Sequence, residues 1–103
     1  MKLRTEPLAC KNLQEIRDAL DGIDREVIEL LKERQAYVQE IVKFKGRDEE
    51  DIVASERKEL VLKQRKAWAE ESGLDSDMIE EIFSLLIKKN IQIQFEIQKS
   101  SNK

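Results

Sequence analysis

Arg34 stands where an apolar residue belongs. From Leu13 to Phe44 apolar side chains recur every three or four residues: Leu13, Ile16, Leu20, Ile23, Val27, Leu30, Tyr37, Ile41 and Phe44, with Arg34 filling the one gap in the series. That spacing marks one face of a long helix packed against other helices. A guanidinium in an apolar seam is costly unless an anion meets it. Lys45 follows eleven residues later. At about 100° per residue it falls roughly 20° round the helix from Arg34. Two cations facing one way suit a small carboxylated ligand, and they equally suit an internal ion pair to Glu56 or Glu59. A second polar interruption lies near the carboxyl terminus. Asn90 and Gln94, one turn apart, break the apolar series Ile79, Phe83, Leu86, Ile93, Ile97. Polar residues in a seam either set helix register or line a pocket.

The rest of the chain restricts the chemistry available to these groups. There is no histidine, so Ser-His and Cys-His nucleophilic machinery, the usual neutral-pH acid-base group and most zinc sites are absent. The single Cys10 cannot form an internal disulfide. No metal or cofactor is expected. A formal net charge of −3 with interleaved acids and bases argues against nucleic-acid binding. No stretch reads as a membrane span. Met1 to Cys10 is too short and too polar for a signal peptide, and no apolar run precedes Pro7-Leu8-Ala9-Cys10. A cytoplasmic protein is expected.

The elements that must position these residues are helices. The 103 residues form one domain, 40% hydrophobic and 40% charged, with three Gly and one Pro, a soluble all-α profile. Residues 1–11 read as a leader, 12–99 as the helical domain and 100–103 as a tail. The first helix is expected from about Asn12 to Lys45, with Asn12 and Glu15 placed as a capping box. Gly46 and the charged run Arg47 to Asp51 read as a solvated loop. The second helix is expected from about Ala54 to Ser72, with Leu60, Val61, Gln64 and Trp68 on its inner face and Gly73 as its stop. Asp75 caps the third, from about Ser76 to Lys99. About 33 residues of first helix span roughly 50 Å, too long a stripe for two helices of about 20 residues to cover. An intertwined homodimer with long helices side by side resolves this.

These residues resemble the all-helical chorismate mutase family over nearly the whole chain, from about Leu13 to Gln98. The ordered set Ile16-Arg17, Ile23-Asp24, Glu33-Arg34, Lys45, Glu56-Arg57 and Gln94 is similar to that family's active-site framework. Tyr37-Val38, Phe44-Lys45, the run Trp68 to Asp75 and Cys10 resemble its isochorismate-pyruvate lyase branch. The resemblance implies a small cyclic dicarboxylate as substrate. It implies that Arg34 binds one carboxylate, Lys45 a carboxylate and the ether oxygen, and Gln94 the same ether oxygen. Arg17 would come from the other subunit to the remaining carboxylate, Arg57 would organise the ring end, and Asn90 falls where the mutases place a small polar residue. One helix sets Arg17 and Arg34 about 25 Å apart, so only another chain brings an Arg17 to an Arg34. Mutases of this family carry Glu after the arginine matching Arg57. Here that residue is Lys58, and Ala54 replaces an expected aspartate. The departure favours the lyase branch, which also lacks that Glu.

Both reactions of the family are pericyclic and need neither nucleophile nor metal. Arg34 and Arg17 would orient the carboxylates, and Lys45 and Gln94 would meet charge developing on the breaking ether bond. Three readings follow: an isochorismate-pyruvate lyase with weak mutase activity, a chorismate mutase proper, and a purely structural or regulatory helical dimer in which the polar seam residues set register. For either enzyme, Lys45→Ala lowers turnover by roughly two to three powers of ten, whereas Lys43→Ala, on the opposite side, leaves it near the starting value. Steady-state rates of the two variants check this, and equal rates would remove Lys45 from the site.

Overall fold

The computed structural model describes residues 4–44 and 55–101. Among them the chain is all-helical, with three α-helices, a short 3-10 turn and no strand. Helix α1 runs Leu13–Ile41, α2 Ser55–Ser72 and α3 Ser76–Ser101. Two units divide the chain, Met1–Ala36 and Tyr37–Lys103, the boundary falling within α1.

In the first unit α1 begins where its cap requires. The Asn12 side chain accepts the Glu15 N–H at 2.9 Å, and the Glu15 carboxylate accepts the Lys11 N–H at 2.7 Å. This closes a capping box one residue wider than the standard form. Ahead of it, Pro7–Ala9 forms the 3-10 turn, and Arg4 pairs with Glu26 at 2.6 Å, tying the leader to the helix.

The helix ends earlier than its apolar series. Lys43 and Phe44 donate to the carbonyls of Glu40 and Ile41 at 3.1 and 2.9 Å. These i→i+3 bonds tighten the last turn into non-α geometry. Among the described residues the regular α-helix, expected to about Lys45, ends at Ile41. Lys45, the loop 46–51 and Ala54 lie outside the described residues.

In the second unit α2 and α3 form an antiparallel hairpin across a three-residue connection, Gly73–Asp75. Gly73 has φ +80°. Its N–H bonds to the Glu70 carbonyl at 3.2 Å, and the Leu74 N–H bonds to that of Ala69 at 2.8 Å. This is a Schellman stop, which needs the left-handed conformation glycine adopts without penalty. Asp75 then caps α3, accepting the Asp77 N–H at 2.9 Å.

Val61 and Ala69 are buried, and Arg65 between them is half-buried. Its guanidinium lies 4.6 Å from the Trp68 ring centre and 5.8 Å from that of Phe83 on α3, so its stem covers apolar surface while its charge rests on two aromatic faces. The inner face of α2 is therefore Val61, Arg65 and Ala69. Leu60, Gln64 and Trp68, expected there with Val61, are exposed. The α3 stripe is as expected: Ile79, Phe83, Leu86, Asn90, Ile93 and Ile97 are half-buried.

Lys66 and Glu80 bridge the two helices at 2.6 Å. The Glu80 carboxylate, by hydrogen bond and then by charge, raises the Lys66 pKa above the ordinary lysine value. The pair's small surface contribution is thus present below the usual lysine range and is lost as pH climbs through the raised pKa.

Gly73→Ala forces a Cβ into left-handed backbone although the space around it is open. The expected cost is about 1 kcal/mol, read as a lower denaturant midpoint at unchanged slope.

Candidate active site

The deepest polar side chain described is Gln94, 4% exposed. It lies in the carboxyl-terminal half of α3, and among the described residues no buried side-chain nitrogen or oxygen lacks a hydrogen-bond partner. A carboxamide carries two donors and an acceptor and no charge. It can be withdrawn from water at the cost of hydrogen bonds alone, where an ammonium or carboxylate would change protonation. Asn90 sits one turn earlier on the same side of α3 and is half-buried. The spacing of four puts the two carboxamides on one side of α3.

The cations are placed differently. Arg34 is half-buried on α1, and Arg17 is exposed on the same helix. The helix between them is unbroken, so seventeen residues of rise hold their backbones about 25 Å apart. Within one chain these two arginines are not brought together. Arg57 is exposed in the first turn of α2, and so is Lys58 beside it. Lys45 lies outside the described residues.

Every group assigned to the site donates hydrogen bonds, and the arginines keep their charge throughout the accessible pH range. Such a set can bind carboxylates and stabilise negative charge on an oxygen. Among the described residues no group of three His, Cys, Asp or Glu side chains is arranged to hold a metal ion.

Sequence reasoning missed Val38, buried at the carboxyl-terminal end of α1, and Ala69, buried in α2. Val38 lies one residue off the apolar series, and Ala69 one residue past Trp68. A stripe read from large side chains passes over both. The Arg4–Glu26 pair spans 22 residues, a separation that no local pattern announces.

Residues 16–95 match the family model described as chorismate mutase type II. The chain is 40% identical over 81 residues to an isochorismate pyruvate lyase from Pseudomonas aeruginosa, covering 79% of each protein. It is 26% identical over 94 residues to a chorismate mutase from Methanocaldococcus jannaschii, covering 90% of this chain and 95% of that one. It is also 31% identical over 78 residues to a T-protein from Haemophilus influenzae, covering 76% of this chain and 21% of the longer relative.

If Gln94 supplies an uncharged donor, Gln94→Leu keeps the hairpin folded and lowers turnover by roughly two to three powers of ten. Gln94→Glu is active only in its protonated form, whose O–H still donates. Burial raises that carboxyl's pKa, so activity climbs as pH falls. Turnover of Gln94→Glu measured between pH 5 and 8 checks the sign, and a flat profile would remove Gln94 from the reacting oxygen.

Proposed function

The chain belongs to the chorismate mutase type II family, and from that membership we propose an isochorismate-pyruvate lyase with weak chorismate mutase activity in the same pocket. The observation that carries this reading is the 40% identity to an isochorismate pyruvate lyase across 79% of both chains. Lys58, in place of the Glu that the mutases use, supports it. The family description and the mutase relative support the secondary activity.

In the lyase reaction the ether C–O bond of isochorismate breaks as a ring hydrogen passes to the enolpyruvyl methylene. The ring becomes aromatic as salicylate, and the arm leaves as pyruvate. The substrate supplies both the hydrogen and its acceptor, so no protein base is consumed. The enzyme's task is to hold the arm against the ring and to favour charge developing on the ether oxygen. Arg34 and Arg17 clamp the two carboxylates. Lys45 and Gln94 donate to the ether oxygen, Arg57 stands at the ring end, and Asn90 lines the pocket.

The site is completed by a second copy. Leu13, Ile16, Leu20, Ile23, Val27 and Leu30 on α1 are exposed, and the apolar side chains buried among the described residues are Val38, Val61 and Ala69. So few buried apolar side chains among the described residues favour a partner that covers the α1 stripe. An intertwined homodimer covers the α1 stripe and brings Arg17 of one copy to Arg34 of the other. No described helix is long and apolar enough to cross a membrane, and a cytoplasmic enzyme of one domain, residues 12–99, suits the reading.

Parallel steady-state assays test the activity. The expected result is a much higher kcat/KM for salicylate release from isochorismate than for prephenate formation from chorismate, and the reverse order would make the chain a mutase. Subunit mixing tests the shared site. Arg17→Ala and Arg34→Ala chains are each inactive, and once exchanged they recover part of the activity because the mixed dimer rebuilds one intact site. Exchange without recovery would refute sharing.

A further inference from the structure

A charged side chain, Arg65, stands at the centre of the α2 inner face, between buried Val61 and Ala69. The reaction proposed above gives it no part. Its guanidinium is held from its own helix on two sides. It lies 4.6 Å from the Trp68 ring centre and donates to the Gln64 side-chain oxygen at 2.5 Å. A third contact crosses the hairpin, 5.8 Å to the ring centre of Phe83 on α3. The group is thus fixed to α2 and meets α3 at the Phe83 ring.

Stability alone does not explain an arginine here. A methionine at the same place would bury apolar surface without the cost of half-burying a charge. What the arginine adds is direction. Val61 and Ala69 are small, and apolar contact is non-directional, so a helix can roll against such a surface. A cation is attracted to the face of a ring, and a polar group in a helical seam sets register at some cost in stability.

Phe83 shares its side of α3 with Gln94. Eleven residues separate them, which is about 20° round the helix and roughly 16 Å along it. The line between them runs through Ile87 and Asn90, both half-buried. Helix α3 is unbroken over that stretch, so a roll at Phe83 turns Gln94 by the same angle. At the roughly 6 Å radius of a side-chain tip, a roll of about 10° moves the carboxamide about 1 Å. Such a displacement at a reacting group costs up to about a hundredfold in rate.

We propose that Arg65 is a positioning residue for Gln94: stacked on Phe83, its guanidinium fixes the roll of α3 and so aims the Gln94 carboxamide at the breaking ether bond. The proposal rests on the assignment of Gln94 to that bond.

The test uses the full chain with isochorismate, reading kcat, KM and melting temperature. Arg65→Met keeps an apolar stem and removes the cation. It is expected to lower kcat about tenfold and to leave KM within about twofold, since the carboxylate clamp is untouched. Its melting temperature is expected to stay within about 5 °C of the starting value. Phe83→Leu removes the ring from the other side of the contact and is expected to reproduce the loss. Lys66→Met removes a second link between the helices, the half-exposed ion pair to Glu80 at 2.6 Å, and is expected to leave kcat within about twofold. In a Gln94→Leu background, Arg65→Met is expected to lower kcat by less than about twofold more, because the group it aims is gone. Unchanged kcat in both Arg65→Met and Phe83→Leu overturns the proposal. So does a melting temperature lowered by more than about 15 °C in both, the mark of a merely structural role. An equal loss in Lys66→Met overturns it as general loosening, and an equal loss in both Gln94 backgrounds overturns it by pointing to another target. A Gln94→Leu chain that keeps full turnover overturns the assignment of Gln94 itself, and that single variant shows it before Arg65 is changed.

Discussion

The rise of an α-helix, about 1.5 Å per residue, is the constraint from which the rest follows. Helix α1 carries Arg17 and Arg34 on one rigid, uninterrupted rod, and a rod cannot fold back on itself to bring them to one small dicarboxylate. The same rod presents an apolar stripe along its length that stays largely in contact with water within one chain. In the proposed dimer both facts have one answer, since a second copy would complete the pocket and remove apolar surface from solvent. The hairpin of α2 and α3 holds a buried carboxamide at Gln94.

The choice of side chains fits a reaction that needs no proton taken or given by the protein. Burying Gln94 leaves no buried side-chain nitrogen or oxygen among the described residues without a partner, whereas an ionised group at the same depth would carry a desolvation penalty of several kcal/mol. In the proposed site charge is left to Lys45 and to the arginines, Arg34 half-buried and Arg17 exposed on α1. A guanidinium matches a carboxylate through paired N–H groups. The second unit fixes its geometry with equal economy. Arg65 lies against Trp68 and Phe83, and the Gly73 turn sets α3 level with α2.

Much of this was legible in the sequence because it depends on local spacing. The helix starts follow from Asn12 and Asp75, the turn from Gly73, and the half-buried line of α3 from its three-and-four periodicity. The inner face of α2 was not legible. An arginine occupies its centre through a pair of ring contacts, one of them to another helix, and periodicity in apolar residues carries no record of that. The end of α1 was also misread, since the apolar series runs on to Phe44 while the backbone leaves α geometry after Ile41. Of the proposed site residues, Asn90 and Gln94 could be set on one side of a helix from spacing alone because α3 holds both. Arg17 and Arg34 could be separated for the same reason.

Placing both arginines on one helix also has a genetic consequence. In the proposed dimer each pocket draws Arg34 from one chain and Arg17 from the other. A chain that has lost both side chains therefore disables both pockets of any mixed dimer it enters. Co-expressed in equal amount with the intact chain and pairing at random, it leaves only about a quarter of the dimers competent. Such a chain removes more activity than its own share, whereas one that merely fails to fold leaves the intact chain's dimers untouched.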